Sequence, residues 1–145
     1  MKPGLIVMVD WRDALSGAGE PNKRRPAIVV SSPRFFGTGL PFEVVVPLTG
    51  EPALAIAGVS TVIEPTRENG CTKRSYALAC NVQTVPHARL TATSSHITQD
   101  ELGDVRAQMV RSGGVGLQLS LVFTELTAKP SFDTWCYPVR MLQGN

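Results

Sequence analysis

Cysteine is scarce in this 145-residue chain, and its three copies are scattered. Cys71, Cys80 and Cys136 form no CxxC pair and no Cys/His cluster, so the spacing of a zinc site is missing. An odd number of thiols gives no complete disulfide framework and fits a reducing compartment. Histidine is scarcer still, with His87 and His96 alone. Long apolar runs are missing as well. The longest, such as residues 5–9 and 44–46, fall far short of the roughly 20 residues that span a bilayer. Near the N-terminus stands Lys2, with neither an apolar segment of signal-peptide length nor a small-residue cleavage site. These absences argue against a secreted disulfide scaffold, a zinc module and a membrane protein, and they predict a cytoplasmic one. Net charge is +2, too small to argue for nucleic-acid binding by itself. Internal repeats and low-complexity segments are also lacking.

What is present is a series of short strand signals. Residues 5–11 are rich in Val and Ile and read as a first strand. Residues 12–24 are polar, hold Gly17, Gly19 and Pro21, and read as a long loop. A second strand covers 26–31, opening on Pro26, where a missing N–H is tolerated. Residues 33–41 read as loop and 42–48 as a third strand. After a weakly patterned connection, 58–63 alternates as a fourth strand. Asn69-Gly70 signals a tight turn, since both residue types tolerate positive φ. Residues 75–82 make a fifth strand, pairing with the fourth as a hairpin, and 88–91 a short sixth.

One helix is well signalled. Thr98 and Glu101 have the spacing of a capping box, flanked by Ile97 and Leu102 at the staple positions. Leu102, Val105, Met109 and Val110 mark one apolar face. Gly113 is placed to end the helix in a left-handed conformation. Beyond it, Leu117, Leu119, Leu121 and Phe123 fit a strand, while 117, 121 and 123–126 fit a helix equally well. The expectation is a mainly β protein, a small barrel with a helix packed on it.

Charge is more telling in its distribution than in its sum. Lys23, Arg24, Arg25 and Arg34 fall close together, and Arg67, Lys73 and Arg74 form a second group. Polar groups at strand ends, presented by loops on a rigid sheet, are where small barrels carry function. Three segments have that character: 19–31, 44–50 and 78–85.

In their order and spacing these segments resemble the MazF/PemK toxin family. Glu20 stands five positions before Arg25 of an Arg-Pro pair that opens a strand. Val46-Pro47-Leu48-Thr49 matches the end of the family's next strand, and Cys80-Asn81-Val82-Gln83-Thr84-Val85 a later one. The resemblance covers roughly residues 3 to 112. It implies an SH3-like barrel in a toxin domain of residues 1–114, followed by an extension at 115–145, whose Phe132, Trp135 and Tyr137 offer apolar area for packing. It further implies a homodimer and an acidic, partly disordered antitoxin. The implied activity is cleavage of single-stranded RNA without metal or cofactor.

The chemistry of that reaction sets requirements of its own. A base assists the 2′-hydroxyl as it attacks phosphorus. The crowded phosphate gathers charge that a guanidinium stabilises with two donors. Arg25 suits that electrostatic role better than proton donation, its pKa lying above about 12. Thr49 offers a hydroxyl to a phosphate oxygen or the 2′-hydroxyl. Glu20 is a base or an orienter of Arg25. Lys23, Arg24, Lys73 and Arg74 supply phosphate neutralisation, with Asn81 and Gln83 as further RNA contacts. Phe35, Phe36 and Tyr76 are candidate base stackers. A surface arginine, a turn threonine and a loop ion pair are the structural alternatives for Arg25, Thr49 and Glu20. His87 and His96 are expected at the surface, without a catalytic part.

Three departures stand against the family pattern. Cys80 replaces an Asp present in some members, Gln83 replaces a basic residue, and Gly50 stands where Ser or Thr is frequent. They motivate a second reading, a non-cleaving module that binds RNA or an antitoxin peptide. A third, a gyrase poison like the related CcdB toxins, ranks lowest. Its apolar and aromatic C-terminus is not matched by Leu142-Gln143-Gly144-Asn145.

Overall fold

Strand-forming β-branched residues in β1 (Leu5–Asp10) and β2 (Arg24–Val29) start a single seven-stranded antiparallel sheet. A computed structural model describes residues 1–12, 23–36 and 39–113, the side chains of Phe35 and Phe36 excepted. Glu20, the rest of its loop, the two candidate stackers and the 115–145 segment therefore lie outside the described side chains. After β2 come α1 (Pro33–Phe36), β3 (Phe42–Thr49), β4 (Ser60–Ile63), β5 (Ser75–Leu78), β6 (Gln83–Pro86), β7 (Leu90–His96) and α2 (Gln99–Ser112). Hydrogen bonding orders the strands β4-β5-β3-β2-β1-β7, with β6 also on β3. β4 and β7 stay unpaired to one another, so the barrel is open. The expected class, mainly β with a late helix packed on it, is what the structure shows.

Both faces of β1–β3 are covered, which is why these strands read as apolar runs rather than strict alternation. Ile6, Ile28, Val46 and Leu48 meet Leu102 and Val105 of α2 on one face. Val7, Val9, Ala27, Val29 and Val45 pack with Trp11 and Val85 on the other. The capping box that starts α2 is formed: Glu101 N–H donates to Thr98 Oγ1 at 3.2 Å, and Thr98 N–H to Glu101 Oε2 at 2.8 Å. Thr98→Ala is expected to cost about 1 kcal/mol, read as a lower urea midpoint at unchanged slope.

Several expectations are corrected. Gly113 is not left-handed: φ is −76°, and its N–H continues the helical ladder to Met109 O. The segment 33–41 contains a single helical turn, α1. The single strand expected over 75–82 is two strands. β5 pairs with the C-terminal end of β3 and β6 with its N-terminal end. Between those stretches lies Pro47 of β3, which has no N–H for a ladder. The three-residue turn Ala79–Asn81 takes up the offset between the two registers. β7 runs to His96, well past the expected end at 91, because its hydrogen bonds to β1 hold a mostly polar, exposed edge that has no apolar pattern.

β4 and β5 do pair, yet the Asn69-Gly70 turn is part of a longer loop spanning 64–74. Asn69 is buried and staples this loop. Its Oδ1 accepts from Thr66 N and Cys71 N, and its Nδ2 donates to Glu64 O. Gly70 has φ +63° and presses against Ser95 of β7. Among the described residues, no helix is long and apolar enough to cross a membrane.

Candidate functional site

Arg25 lies on β2 opposite Val9 of β1. On the other side, β2 and β3 pair Val29 with Val45 and Ala27 with Pro47. Continued by two residues, that alternation opposes Arg25 to Thr49, and Thr49 in turn pairs with Tyr76 of β5. Residues directly opposite on antiparallel strands share a face with their Cβ atoms about 4.5–5.5 Å apart. The register thus pairs Thr49 with Tyr76 and puts Arg25, two residues beyond the last β2–β3 pair, on the same face as Thr49. The family resemblance points to Arg25 and Thr49. Tyr76 as the cross-strand neighbour of Thr49 is visible only in the register.

Arg25 is half-buried, and its Nε is buried with no hydrogen-bond partner among the described residues. Such an unpaired donor costs about 1–3 kcal/mol, so the arrangement suits an acceptor brought by a ligand. Thr49 is 5% exposed, and its Oγ1 accepts from Glu51 N–H at 3.1 Å. That bond leaves the hydroxyl proton of Thr49 free to donate.

Lys73 adds a cation that the sequence places without explaining. Its side chain lies across Gly50: a Cβ built there would stand 2.1 Å from Lys73 Cε and 2.8 Å from Nζ. A larger residue at position 50 would push the far end of this exposed lysine aside. Arg74, adjacent in sequence, is engaged elsewhere. It pairs with Glu64 at 2.5 Å, an exposed contact, and its pKa is raised chiefly by that hydrogen bond. The structure therefore separates Lys73 and Arg74, which the sequence groups together.

The remaining candidates are spread more widely. Arg24 is exposed and donates to Thr91 Oγ1 at 3.1 Å. Lys23 is exposed, and its carbonyl accepts from Trp11 N. Asn81 and Gln83 form a chain with Trp11: the indole N–H donates to Gln83 Oε1 at 2.9 Å, and Gln83 Nε2 to Asn81 Oδ1 at 3.1 Å. Gln83 therefore satisfies a buried indole, a task for which a basic residue has no acceptor. Cys80 is exposed on the turn Ala79–Asn81. His87 is at the surface, bonded to Glu43, and His96 is exposed.

A base is harder to place among the described residues. Asp10 pairs in register with Arg24, but the fork of Arg12 holds it. Side-chain and backbone hydrogen bonds from Arg12 lower its pKa to about 2, so it is a weak proton acceptor. Glu51 follows Thr49 by two residues, with an exposed side chain. No group of three or more His, Cys, Asp or Glu among the described residues is arranged to hold a metal.

A small open barrel with a cationic, hydroxyl-bearing strand-end site is the framework these observations define. The chain belongs to the PemK-like, MazF-like toxins of type II toxin–antitoxin systems, whose family model matches residues 2–112. Its fold is that of solved MazF proteins. MazF from Deinococcus radiodurans superposes with a TM-score of 0.63 at 20% identity, over 79% of this chain and 96% of that one. An endoribonuclease in complex with its cognate antitoxin, from a mycobacterial species, gives 0.61 at 17% identity, over 81% and 98%. A MazE–MazF complex from Deinococcus radiodurans gives 0.56 at 18% identity, over 79% and 96%. No curated protein matches the chain by sequence.

Proposed function

We propose that this toxin is a metal-independent endoribonuclease that cuts single-stranded RNA. The observation that carries the reading is the buried Nε of Arg25, without a partner among the described residues, on the sheet face that also carries Thr49. In this reading the RNA 2′-hydroxyl loses its proton to a base, with Glu20 the candidate, and attacks the adjacent phosphorus. Arg25 takes the charge that builds on the phosphate oxygens, and Thr49 donates a hydrogen bond to one of them. The bond from phosphorus to the 5′-oxygen breaks, and that oxygen takes up a proton. The products are a 2′,3′-cyclic phosphate and a 5′-hydroxyl. The test is digestion of a defined RNA in EDTA, with both ends mapped. Cyclic phosphate ends are expected. RNA left intact by excess protein would refute the reading.

Lys23, Arg24, Lys73 and Arg74 then track the RNA backbone, with Asn81 and Gln83 beside it. Lys73→Ala is expected to reduce the salt dependence of single-stranded RNA binding by about 0.7 in the log–log slope, one phosphate contact. Fluorescence anisotropy across a salt series measures this. The reading includes a cytoplasmic homodimer held in check by an acidic antitoxin; the solved antitoxin complexes of its structural neighbours support the antitoxin partner. It also treats 1–114 as the toxin domain and 115–145 as an appended segment. The commitment of Gln83 to Trp11 and the exposed Cys80 favour a second reading, RNA binding without turnover. Multiple turnover in the digestion experiment excludes it.

A further inference from the structure

Trp11 follows β1 directly, and it shares a face with the candidate site. Its N–H donates to Lys23 O at 3.4 Å, one pair beyond Asp10 and Arg24. Alternation puts Trp11 on the side of Val9, the partner of Arg25, and the two pack in one core cluster. Gln83 pairs with Val45 of β3, and Val45, Pro47 and Thr49 alternate onto that same side. Trp11, Arg25, Thr49 and Gln83 thus belong to one face of the sheet. Trp11 is 4% exposed. An indole has one polar hydrogen and no acceptor atom, so burial obliges it to find an acceptor. Gln83 Oε1 is that acceptor, at 2.9 Å. The bond fixes the sense of the Gln83 amide, with Oε1 toward the indole and Nε2 away from it. Gln83 Nε2 then donates to Asn81 Oδ1 at 3.1 Å, which fixes a second amide in the same sense. Asn81 Nδ2 is left over. It bonds to nothing among the described residues, and Asn81 is half-buried on the turn Ala79–Asn81.

We propose that Trp11 is a positioning residue: its indole N–H sets the direction of this amide relay, so that Asn81 offers the RNA a donor, Nδ2–H, and not an acceptor. The inference rests on the ribonuclease reading and assigns the part that Trp11 plays in it. RNA carries its negative charge on phosphate oxygens, which only accept. An amide N–H facing them attracts, and an amide oxygen in its place repels. An isolated asparagine amide takes either sense by a half-turn of χ2, a soft and roughly two-fold torsion. The relay removes that choice, because its buried end is a group that can only donate. Each amide passes the sense on by accepting on one side and donating on the other. A basic side chain at position 83 would end the relay at once, since it has no atom to accept from the indole.

The test is a double-mutant cycle on the full chain, with cleavage of a single-stranded RNA as readout. Trp11→Phe keeps most of the apolar ring and removes the N–H. It is expected to raise KM roughly threefold to tenfold, the worth of one neutral hydrogen bond. kcat is expected to stay within twofold, because a donor to the RNA backbone serves ground and transition states alike. Asn81→Ala is expected to raise KM by a similar factor while leaving the urea midpoint in place. In the Asn81→Ala protein, Trp11→Phe is expected to add less than twofold, since the relay then has no end to orient. Gln83→Leu cuts the relay from a half-buried position, without a hole at Trp11, and is expected to be silent in the Asn81→Ala protein too. A Trp11 that only supports the core would lower the urea midpoint and leave KM alone. That result, or KM penalties that multiply in the double variant, would overturn the relay. With a wild type that binds RNA and leaves it intact, the same cycle is read in Kd. Coupling there keeps the relay while the ribonuclease reading falls, and cleavage with an uncoupled cycle does the reverse.

Discussion

Arg25→Ala is expected to slow single-turnover RNA cleavage roughly 100- to 1,000-fold, the usual cost of one preorganised donor aimed at developing charge. The fold should survive, because Arg25 Nε bonds to no described residue. Removing a buried donor that lacks a partner relieves a penalty, so the urea midpoint should hold or rise. That combination, activity lost and stability kept, is what distinguishes a binding arginine from one that supports the sheet. Arg25→Lys keeps the charge but loses the planar fork, and should recover only a small part of the rate. A cleavage rate for Arg25→Ala within twofold of wild type would take Arg25 out of the site.

Glu43→Ala is expected to destabilise the toxin by roughly 1–3 kcal/mol, the cost of leaving buried polar groups such as Ser31 Oγ without their acceptor. Glu43 is 1% exposed on β3. Its carboxylate accepts from the Met1 amino group and from Ser31 Oγ, and His87 Nε2 stands 3.4 Å away. Burial pushes its pKa up, but the hydrogen bonds and charge of these partners outweigh burial and hold it below the usual value of 4.5. A carboxylate with a lower pKa folded than unfolded stabilises fully above the unfolded value. That contribution is lost as pH falls through the folded one. Wild-type stability should therefore drop below about pH 4.5 more steeply than that of Glu43→Gln, whose amide does not titrate. Urea midpoints measured for both from pH 6 to pH 3 decide it, and parallel curves would show that the charge contributes nothing.

Features resting on short-range spacing were legible before any coordinates. Thr98 and Glu101 lie three residues apart, so their reciprocal bonds need only one turn of helix. β1 to β3 announce themselves because two covered faces demand runs of apolar residues at successive positions. Arg25 and Thr49 were singled out because their strand-end segments match the order and spacing of the family's motifs. β7 was underread for the opposite reason: its order comes from backbone bonds to β1, which place no demand on side-chain polarity.

What the chain alone determined is thus most of the strands, the capped helix and the two residues on which the proposed chemistry centres. Tertiary structure decided which groups stand beside them. The β3 register puts Tyr76 opposite Thr49, and the 64–74 loop lays Lys73 over Gly50, next to that same threonine. It also committed Gln83 to Trp11 and buried Glu43 among partners 12 to 44 residues away. None of these has a local signature, because each is a contact between segments whose separation in sequence says nothing about their distance in the sheet.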